Sequence, residues 1–132
     1  MKNKILELEK NLFKYEYISN RKWLENTIHN NFVECGKSGY FSYKTDTVKS
    51  LLEYSEDRTI TIYNYEYKKI DEKTYLIHYI TKQEDKLFYR TSIWIKEETL
   101  KLLYHQATEL KERITLIEYE YKKGLNYANK KK

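Results

Sequence analysis

The sequence predicts an α+β domain whose curved antiparallel sheet lines a pocket. The hydrophobic period is helical up to about residue 52 and changes to two from Thr59 onward. Helices followed by a run of strands, rather than alternating with them, indicate α+β and not βαβ. Two late stretches, Tyr89-Arg90-Thr91-Ser92-Ile93-Trp94 and Tyr104-His105-Gln106-Ala107-Thr108, alternate bulky and polar residues. Regular alternation puts Arg90, Ser92 and Trp94 on one face, and Tyr104, Gln106 and Thr108 on one face of the next strand. A face that is apolar yet studded with fixed polar groups is how a ligand cavity is lined.

Each element has its own signal. Residues 3 to 17 place Ile5, Leu8, Leu12 and Tyr15 at helical spacing, with Glu7, Glu9 and Lys10 turned away. Ser19 is placed to cap a second helix through about Ile28, burying Trp23, Leu24 and Ile28. Phe32 to Cys35 reads as a short strand, Gly36 and Gly39 bracket a tight turn, and Tyr40 to Tyr43 returns. Thr45 or Asp46 caps a third helix carrying Val48, Leu51 and Leu52. Thr59 to Ile70, Thr74 to Lys82, Leu87 to Lys96 and Leu100 to Leu110 form a meander joined by short charged turns. Helices on a single face of one sheet are the economical packing.

At 132 residues the chain is one domain, expected over 1–110, with a C-terminal extension over 111–132. Residues 114–123 resemble residues 60–69 at seven of ten positions, which suits an extra edge strand or a dimer contact, or follows from biased composition alone. The net charge of +5 is local: without the five lysines of residues 122–132, 20 basic and 20 acidic residues remain. A neutral body with a basic tail argues against a nucleic-acid partner. No apolar run approaches the roughly 20 residues that span a bilayer, and no signal peptide is legible at Met1-Lys2-Asn3-Lys4. The lone Cys35 excludes an intrachain disulfide and fits a reducing cytoplasm. No metal site is expected, since the three histidines lie far apart with no Cys or carboxylate at ligand spacing. No cofactor motif is present either, because Gly36 and Gly39 precede no phosphate-binding Lys-Ser/Thr.

If both aromatic-polar faces line the cavity, Arg90 is a buried or half-buried cation that needs a partner. Glu34, on the side of Phe32 in an otherwise apolar strand, is the acid best placed by pattern. In the alternative, Arg90 sits at the rim and Glu34 points to water. His105 has the parity opposite to Gln106 and faces away from the cavity unless a β-bulge reverses it. Glu34 and His105 are the candidate catalytic groups. Trp23, Phe32, Tyr40, Trp94 and Tyr104 are the expected apolar walls, with Glu34, Arg90, Ser92 and Gln106 as polar contacts.

The chain resembles the nuclear transport factor 2-like (NTF2-like) superfamily, and most nearly its SnoaL-like branch, domain of unknown function 4440. The resemblance covers about residues 4 to 110. It rests on the helix pair with Arg21 and Trp23, on Phe32-Val33-Glu34-Cys35-Gly36-Lys37-Ser38-Gly39, and on the two late stretches. It implies a cone in which a strongly curved sheet wraps helices around a cavity, and a homodimer formed through the outer sheet face. It also implies two kinds of function: a binder of a small organic ligand, or an isomerase, dehydratase or hydrolase using a pocket carboxylate or histidine. A dimeric interaction module with a filled cavity is a third possibility. The segment after residue 110 departs from the family's usual ending.

Overall fold

A computed structural model describes residues 1–119. The chain runs α1 (Lys2–Asn11), α2 (Tyr15–Ile18), α3 (Arg21–Thr27), β1 (Ile28–Cys35), β2 (Phe41–Tyr43), α4 (Lys44–Leu52), then β3 (Ile62–Lys69), β4 (Thr74–Gln83), β5 (Lys86–Lys96) and β6 (Leu100–Glu109). The α+β expectation holds. Six strands form one open sheet in the order β2-β1-β6-β5-β4-β3. Every neighbouring pair is antiparallel except β1–β6, which is parallel and makes the sheet mixed.

Boundaries moved where local chemistry outweighed the period. The helix expected over 3–17 stops at Asn11, and a separate turn begins at Tyr15, whose N–H donates to Asp57 Oδ1 at 2.6 Å. Asn20, not Ser19, caps α3 by accepting from the Trp23 N–H at 3.1 Å. Asp46 caps α4 by accepting from the Tyr43 N–H at 3.3 Å. β1 starts at Ile28, because Ile28 and His29 continue directly from α3 into the sheet.

Three register shifts bend the sheet, between Ile28 and Val33 of β1, between Tyr63 and Glu66 of β3, and at Ile93/Trp94 where β5 meets β6. An extra residue in one strand kinks it and increases its twist, so the shifts supply curvature. The third places Leu102 opposite Trp94 but Tyr104 opposite Ile93, leaving Leu103 as the extra residue. From there onward the side chains of β6 exchange faces.

The core lies between the inner face of the sheet and the helices. Ile5, Leu6, Ile18, Leu24, Ile28, Phe32, Val48, Ile77, Tyr79 and Trp94 are all buried in it. The buried residues of α1 are Ile5, Leu6, Glu9 and Asn11, and Leu12 and Phe13 just after it are buried too. Glu9, expected on the solvent side, is therefore an inward residue. Its Cα falls at i+4 from Ile5 and i−3 from Leu12, on the same helical face.

After β6 the chain crosses to the free edge of β3. Residues 114–119 form no regular strand there, only a bridge between Tyr63 and Glu118. The lysines of the expected basic tail lie outside the described residues. Asn64 holds the crossing with φ of 53°, its Oδ1 accepting from Ile117 N–H at 2.7 Å and its Nδ2 donating to Thr115 O at 3.1 Å. A left-handed backbone costs a non-glycine residue about 1–2 kcal/mol, least for Asn and Asp. Asn64→Ala is expected to destabilise the fold by roughly 1–3 kcal/mol, through strain and the loss of two hydrogen bonds. Asn64→Gly relieves the strain and should cost less. Urea unfolding of both variants checks the order, and an Asn64→Ala variant as stable as wild type would refute this role.

Candidate functional site

The inner face is organised in rows across the strands. One row reads Ser42, Glu34, His105, Ser92, Ile77, Tyr67, from β2 to β3. The next includes Ala107, Arg90 and Tyr79, and another includes Leu102, Trp94 and Tyr75. The helix α1 lies over these rows and lowers Glu9 onto them.

Glu9 is 1% exposed. Its Oε2 accepts from Tyr79 Oη at 2.6 Å and from Ser92 Oγ at 3.0 Å, and its Oε1 accepts from Trp94 Nε1 at 3.0 Å. Burial pushes the carboxyl above its ordinary range, against the opposing pull of these three donors and of Arg90. Ser92 Oγ lies 2.7 Å from His105 Nδ1, and His105 Nε2 lies 3.5 Å from Arg90 Nη1. One assignment of protons satisfies the chain. Ser92 gives its only proton to Glu9, so His105 Nδ1 must carry a proton to donate to Ser92. Nε2 is then the acceptor facing the Arg90 guanidinium, which has no acceptor of its own. His105 is thus a neutral Nδ1–H imidazole. Its pKa is lowered to about 3 by burial first, then by Arg90 and Arg58.

A cavity of about 220 Å³ lies beside this network. Leu12, Ile28, Phe32, Leu51 and Leu102 form its apolar walls, with Glu9, Thr47 and His105 among them. A second, wider space of about 550 Å³ adjoins it, lined also by Lys37, Ser38, Tyr40 and Gln83. Phe13, Glu34, Ser42, Tyr54, Arg58 and Arg90 line both spaces and so form the neck between them. Arg58 is clamped at the neck, its guanidinium carbon 4.4 Å from the Phe13 ring centroid and 4.5 Å from that of Tyr54. Its Nη2 donates to Leu12 O at 2.6 Å. Arg90 is fixed by Nε donating to Thr81 Oγ1 at 2.9 Å. Burial raises the Glu34 carboxyl above the usual range while Arg90 and Arg58 pull it down.

The expected site residues divide into three groups. Phe32, Glu34 and Arg90 line the cavity, and Tyr40, 77% exposed, lines the wider space. Ser92 and Trp94 face inward but are buried beneath Glu9 rather than on the cavity wall. Trp23 is packed against Tyr17, with centroids 5.1 Å apart, away from the cavity. Tyr104 and Gln106 are corrections: both lie on the outer face, where the Tyr104 hydroxyl donates to Gln106 Oε1. His105 is the complementary correction, buried on the inner face and lining the cavity. The extra residue at Leu103 causes both reversals. Among the contributors that escaped the sequence reading are Glu9, Arg58 and Thr47. A signal existed for Glu9, an acid in the middle of an Ile5–Leu12 apolar stripe. None existed for Arg58, which sits in the charged, aperiodic stretch Ser55-Glu56-Asp57-Arg58.

The network makes a definite spectroscopic prediction. His105 should remain a neutral Nδ1–H imidazole from pH 8 to pH 5, without a titration step near 6.5. In Glu9→Gln the amide N–H₂ should occupy the Oε2 position, because Trp94 Nε1 can only donate and holds the oxygen at the other. Ser92 then accepts from the amide as well as from His105 Nδ1–H, and the Nδ1–H tautomer is kept because Nε2 still faces the donor-only Arg90 guanidinium. Long-range ¹H–¹⁵N correlation spectra report both quantities. A His105 that titrates near 6.5, or an Nε2–H tautomer in either protein, would overturn the assignment.

No protein-family model matches the sequence, and no curated protein matches it significantly. Solved structures do match. An NTF2-like protein from Cytophaga hutchinsonii aligns with a TM-score of 0.67 at 17% identity, covering 82% of this chain and 97% of its own. An NTF2-like protein of unknown function in nutrient uptake from Rhodospirillum rubrum gives 0.63 at 14% identity, covering 80% and 98%. An uncharacterised protein with a cystatin-like fold from Caulobacter vibrioides gives 0.61 at 11%, covering 81% and 87%. At such identities the likeness carries the fold alone: the chain has the NTF2-like, cystatin-like α+β fold.

Proposed function

We propose that this protein binds a small organic molecule in the cavity between α1, α4 and the inner sheet face. One observation carries the reading: a largely apolar chamber is bounded on one side by a neck whose polar groups are held in place from behind. Arg90 is fixed by Thr81 and His105, and Arg58 by Phe13, Tyr54 and Leu12. A rigid neck over a preformed chamber is what a binding site needs. The chamber's 220 Å³ is below the roughly 300–1,000 Å³ of drug-sized sites, so its occupant is small. Placement in the SnoaL-like branch and a cytoplasmic setting belong to this reading, on the strength of the sequence motifs and the unpaired Cys35.

The alternative reading is an isomerase, dehydratase or hydrolase. Its best support is Glu34, a cavity carboxylate whose proton affinity is raised by burial. His105, the other candidate base, is disfavoured by its low basicity.

Ser50 offers a clean test of the cavity. It lines the chamber but is exposed to solvent on α4, so a large side chain there should obstruct the chamber with little cost to folding. Thermal-shift hits from a library of small organic molecules should lose their effect on Ser50→Trp while the unliganded melting temperature stays within about 2 °C, as expected of a surface substitution. Hits that persist on this variant, or no hits at millimolar concentration, would sink the binding reading.

A homodimer through the outer sheet face is also proposed. Leu76, Ile93, Tyr104 and Val33 form one row across four strands on that face, each only partly buried. A half-exposed apolar row on a sheet suits a self-complementary interface. Light scattering should give twice the chain mass at micromolar concentration, and Ile93→Glu should halve it. A wild-type monomer would refute the dimer.

A further inference from the structure

We infer that the neck of the cavity is a receptor for a carboxylate, and that the ligand is a small monoacid with an apolar body. The inference rests on the binding reading above and specifies its ligand. It begins with the placement of charge. Two guanidinium groups, Arg58 and Arg90, meet one carboxylate, Glu34, at the neck. Glu9 lies deeper, where its carboxylate accepts from three neutral donors and offsets one of these positive charges, and His105 is neutral. Lys37 stands just outside, and its ammonium is depressed by burial and then by Arg90, Arg58 and Lys86. The neck and mouth thus carry a surplus of positive charge that one bound anion would compensate.

Hydrogen-bonding capacity points the same way. Arg58 Nε is buried without a partner, as is the Thr47 hydroxyl on the chamber wall. Arg90 uses Nε and Nη1 within the fold, and its Nη2 makes no hydrogen bond among the described residues. A fixed guanidinium with spare donors is matched by a carboxylate, whose two oxygens accept in one plane. An ammonium ligand would meet two like charges instead. The position of the charge fixes the ligand's orientation. The arginines lie at the neck, whereas Ile28, Phe32, Leu51 and Leu102 lie only in the inner chamber. The acid group therefore sits at the neck and the apolar body points inward, with Thr47 available to a polar substituent.

Matched probes test the inference. Titration calorimetry on the full chain compares hexanoate with hexanamide, benzoate with benzamide, and phenylacetate with phenylacetamide and phenethylamine. At least one acid should bind ten or more times tighter than its amide, a difference of about 1.4 kcal/mol or more, and phenethylamine should not bind. Arg90→Gln and Arg58→Gln should each erase that preference. The comparison within wild type stands even if a variant fails to fold. An amide or amine that binds as well as the acid leaves the cavity reading intact and overturns the carboxylate. If no acid, amide or amine binds, both fall. An acid preference that survives both arginine variants would also overturn the assignment.

Discussion

The inner face of this fold is arranged around one carboxylate, that of Glu9. An ion of this size carries a desolvation penalty of several kcal/mol in a protein interior. Three hydrogen bonds to it, each worth roughly 1.5–3 kcal/mol when the acceptor is charged, are of the same order. Glu9 therefore contributes little net stability by this reckoning, and its value is positional. Tyr79, Ser92 and Trp94 come from three successive rows of β4 and β5. Only one rotation and one height of α1 satisfy all three donors. A helix held only by Ile5, Leu6, Leu12 and Phe13 would have apolar contacts alone to set its depth over the sheet.

That fixed point propagates outward. Because Ser92 spends its proton on Glu9, it must accept from His105, and because His105 donates through Nδ1 it presents Nε2 to Arg90. Thr81 steadies the same guanidinium from the neighbouring strand. The side chain at the neck is thus positioned by a series of bonds that starts on a different element, with no loop residue in the series. Arg58 reaches the neck by another route, through its backbone N–H on Phe13 O at 2.8 Å and its guanidinium on Leu12 O. One route ends on α1 and the other on the turn that follows it, so the depth of that helix sets the shape of the neck.

The helices-then-meander order was legible because period and turn chemistry agree from Thr74 to Lys96, where the observed strands fall within one residue of those read from alternation. The inward face of β5 was legible for the same reason. The failures have a common cause in features with no period. The extra residue at Leu103 is invisible to an alternation rule, yet it exchanges Gln106 for His105 on the cavity side. Arg58 lies in a stretch with no repeating pattern, and its place depends on the end of α1 more than forty residues away. Glu9 was misread because a charged residue on a helix is ordinarily solvated, although its spacing from Ile5 and Leu12 already put it on the buried stripe. In each case the missing information was tertiary: what lies opposite the residue across the core.

The electrostatics bear on whether such a site could act as a catalyst. Proton abstraction at neutral pH favours a base whose pKa is near the working pH. His105 is far from that, and the first cause of its low basicity is burial rather than the arginines. An anion seated between Arg58 and Arg90 would remove the smaller causes and leave the larger one, so occupancy would not convert His105 into an effective base. Glu34 differs, because its proton affinity is raised by burial and lowered chiefly by those same arginines. An anion that screens them would raise it further. The occupied site therefore makes Glu34 more basic while keeping His105 neutral, and of these two groups the carboxylate on β1 is the better placed to take up a proton.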